Sequence, residues 1–240
     1  MYLSLTEIES IAAMVLADYY ALPRFEGMQI THIDPIILAY ELLGLEIKYH
    51  ILSRSGSLLG LTAYGDAEVM VYDNDSQPHY ERIDARTIFV DKYLRNDPRG
   101  SGRLHFTVMH ENCHQIYKNL FPDTYERAVQ ERRIHYCRAQ RTKTDWEEWR
   151  TDALAAAILM PPELVLAALK TDGRSGGIEV LNKKYASSEY KRFSRAAEKL
   201  GVSKTALDIR MRRMGLIGRD DFRNPYAMTD IFVEDGELDD

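Results

Sequence analysis

His110-Glu111-Asn112-Cys113-His114 is the stretch on which the reading of this chain turns: two histidines four residues apart, with a carboxylate beside the first. Residues four apart on a helix have Cβ atoms roughly 5–6 Å apart, so both rings can reach one ion, and H-E-x-x-H on a helix is half of a zinc site. With seven His in 240 residues, chance would produce the pentad on the order of once per hundred such chains. Its surroundings suit a helix. Leu104, Val108, Met109, Cys113, Ile116, Tyr117 and Leu120 recur in steps of three and four, Phe121-Pro122 ends the pattern, and Ser101 stands where an N-cap is expected.

A zinc site with catalytic potential needs a third protein ligand and an open fourth position. The best source is Asp145 to Pro161, where Glu148 and Asp152 precede an alanine-rich stretch, Ala153 to Met160, that is stopped by Pro161-Pro162. Four apart, these two carboxylates share a helix face. One can bind metal while the other accepts the remaining N–H of a ligand histidine. Glu147 and Asp145 are expected to point elsewhere.

Two segments in this order resemble a known family. His105-Phe106-Thr107-Val108-Met109-His110-Glu111-Asn112-Cys113-His114 is similar to the FT-x-x-H-E-x-x-H segment of ImmA/IrrE-type metallopeptidases, and Glu148 to Pro161 is similar to their second signature. The likeness runs from about residue 5 to 217, including Ile33 to Leu45 and Ile88 to Asp91. Carried over residue by residue, it implies zinc ligands His110, His114 and Glu148, a catalytic carboxylate at Glu111, and one Zn2+ per chain. It also implies a protein substrate, a helix-turn-helix repressor of a stress or mobile-element regulon. Asn112-Cys113 and Arg150-Thr151 depart from the commoner residues of the pattern, so Arg150 becomes a candidate for facing the cleft.

Ahead of the pentad, Leu5, Ile8, Ile11, Ala12 and Leu16 read as one amphipathic helix, and Ile36 to Leu43, closed by Gly44, as a second. Strand chemistry follows at 45–49, 58–64, 68–72 and 87–90. Gly65-Asp66 suits a hairpin turn between the middle two, and the strands together suggest a small antiparallel sheet whose edge can bind an extended peptide. The mixed charges of 123–145 read as a solvated face. His135, within that run, reads as a surface or packed residue, and Cys113 as a small core side chain.

The distal part changes character. Ala196 to Met211 has the pattern of a helix-turn-helix, with Gly201 at the turn and Ser203 capping the second helix. Residues 183–213 carry ten Lys/Arg (183, 184, 191, 192, 195, 199, 204, 210, 212, 213) against Glu189, Glu198 and Asp208, which would attract nucleic acid. A similar segment belongs to the family resemblance, so a scaffold or docking role competes with DNA reading, and DNA is not the favoured partner. Beyond Gly218, eight acids oppose Arg219 and Arg223, the composition of an acidic tail.

A net charge of −6, 45% hydrophobic residues and 240 positions suit one or two globular domains. Two cysteines are too few for a disulfide framework. The first twenty residues do not form a signal peptide, and no apolar run approaches the roughly 20 residues of a membrane span. A cytoplasmic protein is expected. The full expectation is an α+β, zincin-like metallopeptidase domain over 1–170, a helix-turn-helix-like portion over 171–218 and a tail over 219–240. Asp152 is assigned to orienting a ligand histidine. The rival is a DNA-binding or protein-interaction regulator whose zinc is structural or a relic, and its mark would be a fourth protein ligand.

Overall fold

The computed structural model describes residues 2–96, 101–138, 146–170 and 174–218. Helices and strands mix in the α+β manner, and the chain divides into two compact units, Met1–Leu159 and Met160–Asp240. The division falls ahead of the expected boundary at 170. Helix α6 (Pro162–Leu169) packs on α7 (Ser187–Lys199), so its buried Leu164, Val165, Ala168 and Leu169 serve the second core. The acidic 219–240 segment and Asp145 lie outside the described residues.

In the first unit, Ser4 starts α1 (Leu5–Tyr20) with a reciprocal cap: its Oγ accepts the Glu7 N–H at 3.3 Å and its own N–H donates to Glu7 Oε2 at 2.8 Å. The face carrying Ile8, Ile11, Ala12, Val15, Leu16 and Tyr19 is buried, and α1 packs against α5 (Trp146–Leu159). Asp34 caps α2 (Pro35–Ile37) by accepting from Ile36 N–H at 2.8 Å. That helix widens into a π turn over Leu38–Leu42, and Gly44 closes it at φ +61°.

Four strands form the main sheet, in the order β1 (Glu46–His50), β5 (Thr87–Asp91), β2 (Leu58–Ala63), β6 (Ile134–Arg138). It is mixed rather than antiparallel, because β1 runs parallel to β5 while β2 is antiparallel to both its neighbours. The expected hairpin across Gly65-Asp66 does not form. Instead β3 (Ala67–Tyr72) pairs with β4 (Pro78–Ile83), turning at Asp73, whose Oδ1 accepts from Asp75 and Gln77 N–H at 2.9 and 2.8 Å. Burial explains the difference. Gly60 to Ala63 are all buried, as an interior strand requires, whereas β3 buries only Val69 and Val71 and leaves Glu68 and Met70 exposed, which suits a two-stranded flap.

The two faces of the sheet hold separate apolar clusters. Ile47, Ile88 and Val90 pack with Leu104 and Val108 of α3 (Gly102–Leu120). On the opposite face, Leu61, Ala63 and Phe89 meet Val69, Val71 and Ile83 of the flap. Ser101 does not cap α3: its backbone is already helical and its side chain makes no cap bond. Phe121 and Pro122 end α3 as expected, and Pro122 opens α4 (Pro122–Gln130). No single helix among the described residues is long and apolar enough to cross a membrane.

In the second unit α7 is followed by a turn with Gly201 at φ +66°, and then by α8 (Lys204–Arg213), capped by Ser203 Oγ accepting Ala206 N–H at 3.1 Å. Two arginines are buried here. Arg192 donates to the carbonyls of Leu169 at 2.7 Å, Gly177 at 3.2 Å and Gly176, and pairs with Glu189; Arg210 donates to the Met160 carbonyl at 3.0 Å.

Candidate metal centre

Helix α3 presents two stripes to two different neighbours. Thr107, Glu111 and Gln115, four apart, face β2: Gln115 Nε2 donates to Thr62 Oγ1 at 2.5 Å and to the Ala63 carbonyl at 3.1 Å. His110 and His114 form the second stripe and meet Glu148 and Asp152 of α5. Ala155, seven residues after Glu148 and so on the same face of α5, is small and buried.

His110 Nε2 and His114 Nε2 are 3.2 Å apart. Glu148 closes the triangle, with Oε2 at 3.2 Å from His110 Nε2 and Oε1 at 3.4 Å from His114 Nε2. The Nδ1 of His110 lies 2.9 Å from Asp152 Oδ1. If that Nδ1–H donates to Asp152, the proton of a neutral imidazole is used there and Nε2 is left as a lone pair facing a carboxylate oxygen. Two acceptors at such a distance need a positive charge between them, either a proton or a metal ion.

The donor set fits an ion. Ligand atoms held at about 2.0–2.1 Å in a tetrahedron are about 3.3–3.4 Å from one another, which is the size of the observed triangle. Two imidazoles and a carboxylate are a common zinc set, and His110 and His114 are fully enclosed at 0% and 1% side-chain exposure while Glu148 keeps 18%. Among the described residues no fourth His, Cys, Asp or Glu joins this group of three.

Glu111 is buried beside the triangle, and a glycine makes room for it. A Cβ at Gly60 would sit 2.7 Å from Glu111 Oε1 and 2.9 Å from Thr107 Cγ2, closer than real Cβ atoms approach. A glycine inside a strand often marks such a close approach, and this was the signal available in the sequence.

Strand β6, within the run read as a solvated face, supplies further groups to the site. Its register sets Cys137 opposite Gly60 and His135 opposite Thr62, so both share the face of β2 that looks at α3. Cys137 lies with His110 and Glu111, all three donor atoms within 4.8 Å of one another. The His135 ring is stacked on His114 with centroids 4.5 Å apart, and its Nδ1 is 4.0 Å from Glu148 Oε1. With 15% side-chain exposure, His135 is neither surface nor remote. The 123–145 run is a solvated face only in part: Arg127, Glu131 and Arg133 pair on the surface, while the strand beside them turns inward.

Glu147 corrects a second expectation. Rather than pointing away, its Oε1 lies 3.6 Å from His135 Nε2 and 3.5 Å from Arg150 Nη2. Arg150 does not face a cleft; it is buried, donates to Tyr125 Oη at 2.7 Å and lies over the Tyr117 ring at 5.2 Å. Tyr64, also missed from sequence, sets its hydroxyl 3.5 Å from His114 Nδ1, so each ligand histidine has a partner behind it. Cys113 is a buried core side chain, as read from sequence.

Electrostatics follow enclosure. Burial pushes His114 and His135 down to about 4, so both are neutral near pH 7, the form a ligand requires. For Glu148 burial opposes ionisation, yet hydrogen bonds with His110 and His114 outweigh it and hold the carboxyl well below the usual range. His110 moves upward: burial disfavours its charge, but Cys137, Glu148 and Glu111 together prevail. Burial raises the Tyr125 hydroxyl to about 12 and Tyr64 further still, so both remain protonated. No protein-family model matches this chain, and neither does any curated protein.

Proposed function

We propose that the chain is a zinc-dependent endopeptidase of the ImmA/IrrE type, with a zincin-like first unit, that cuts a transcriptional repressor at one bond. The observation that carries this reading is the convergence of His110 Nε2, His114 Nε2 and the Glu148 carboxylate within 3.4 Å, with Glu111 buried beside them. Those three residues would hold zinc, which would supply Lewis acidity towards water and a carbonyl oxygen. Glu111 accepts a proton from water on a carboxylate oxygen and returns it to the leaving amine nitrogen. Asp152 Oδ1 holds the Nδ1–H of His110 and so fixes the ring with Nε2 inward. Gly60 preserves the space that the Glu111 carboxylate fills.

Among the described residues no fourth donor joins the group of three, which favours catalysis over a structural zinc closed by four protein donors. The repressor substrate rests on the resemblance of the two signatures. Two free cysteines, both buried, suit a reducing compartment, consistent with a cytoplasmic enzyme.

The test is incubation of zinc-loaded protein with helix-turn-helix repressors from the same organism, with fragments read by mass spectrometry. Glu111→Gln should keep its zinc, lower cleavage by about 10²–10⁴-fold and trap the uncut target. Cleavage by Glu111→Gln at the wild-type rate, or no cleavage by the wild type, defeats the proposal.

A further inference from the structure

The second unit carries a surface that the peptidase reading does not use. On α7, Lys191, Arg195 and Lys199 are spaced by four and all exposed, so they form one stripe with about 6 Å of axial rise between successive charges. The opposite face of the helix, with Arg192, Phe193, Ala196 and Ala197, is buried. Lys204, the first residue of α8, leans back across the turn, its Nζ 5.4 Å from the centre of the Tyr190 ring. Tyr190 lies about 100° round the helix from Lys191, so Lys204 adds an exposed cation on the flank of α7 rather than in the stripe.

Folding takes two acids of this unit out of the surface. Glu189 is drawn inward by Arg174 and Arg192, at 2.7 and 2.8 Å, and Asp208 is buried against Arg212 at 3.0 Å. Glu198 stays exposed and, three residues after Arg195, lies beside the stripe as its one exposed acid on α7. The two cations lost from the surface, Arg192 and Arg210, are held by backbone carbonyls. What remains outside is a row of cations on a helix-turn-helix, with long side chains able to follow successive phosphates of one strand.

We infer that the stripe Lys191–Arg195–Lys199 is a contact surface for the phosphate backbone of duplex DNA, binding without base selection. Three such contacts release about three counterions, so affinity should fall roughly fortyfold between 50 and 200 mM salt. This surface would hold the protein on the nucleic acid independently of the metal centre.

The experiment uses the full chain and a fluorescent 24-base-pair duplex of mixed sequence, with anisotropy read across that salt range. Wild type should bind in the micromolar range at 50 mM salt, and a scrambled duplex should bind equally. The triple variant Lys191→Ala, Arg195→Ala, Lys199→Ala should bind at least tenfold more weakly at 50 mM salt and lose most of the salt response. Arg127→Ala with Arg133→Ala, which removes cations already paired with Glu131, should change nothing. No binding at 50 mM salt overturns the inference, as does a salt response that survives the triple variant. Tighter binding to phosphatidylserine vesicles than to duplex would overturn it in favour of a membrane surface.

Discussion

Both units bury charged side chains, but to different ends. In the second, Arg192 and Arg210 donate to backbone carbonyls, pairing donor with acceptor. In the first, two imidazole nitrogens and a carboxylate face one another within 3.4 Å, an arrangement that needs a proton or a metal ion between them. The first pattern satisfies the backbone and stops there. The second is frustrated without a cation, and such an arrangement persists where a bound ion resolves it. Complementarity among buried polar groups therefore separates structural charge from a site better than burial alone.

Acid should expose this contrast most strongly. His114 and His135 titrate near 4 when folded and near 6.5 when free. As pH falls from 6.5 to 4 the unfolded chain takes up protons that the folded chain refuses, so metal-free protein should lose stability across that window, by up to about 1.4 kcal/mol per pH unit for each group. His110, shifted upward, is protonated in both states there and adds no slope. The guanidinium groups of the second unit do not titrate in this range. Hydrogen exchange should show α3 losing protection while α7 and α8 keep theirs; equal loss in both units would break the comparison.

A crossed pair of substitutions comes next. Glu148→Ala should weaken zinc binding by more than the hundredfold ceiling typical of supporting residues and leave the second unit's exchange unchanged. Arg192→Ala should leave zinc content unchanged but destabilise the second unit by about 3 kcal/mol, because several carbonyls lose a charged donor. Elemental analysis beside hydrogen exchange reads both, and zinc loss in Arg192→Ala would contradict the separation.

Asp152→Ala is expected to be milder, about 10–100-fold in zinc affinity by competition with a chelator. An unchanged titration would make Asp152 an ordinary surface carboxylate. Gly60→Ala should cost about 1–3 kcal/mol through overpacking against Glu111 and Thr107, seen as a lower Tm. If its stability were unchanged, the glycine would not be what makes room for the carboxylate.

The α3 helix, its amphipathic pattern and its end at Phe121-Pro122 were legible because period, proline and motif are local properties. So were two helices joined by a turn at Gly201, the second capped by Ser203. Strand partnership was not: β2 and β3 are consecutive around a plausible turn, yet β2 is buried on both faces and takes β5 and β6 as neighbours. A local turn signal carries no information about which strands a core will surround.

The sequence by itself determined which side chains share a helix face: His110 with His114, and Glu148 with Asp152, since a fixed 3.6-residue period dictates it. That these two faces meet, with Asp152 behind His110, was an expectation that the packing of α3 on α5 then satisfied. Only the tertiary structure brought in His135, Cys137, Glu147, Tyr64 and Gly60, and only it turned Arg192 and Arg210 inward while leaving Lys191, Arg195 and Lys199 outside. Strand register and helix packing join residues far apart in sequence, and their outcome depends on how the whole core is filled rather than on any local pattern.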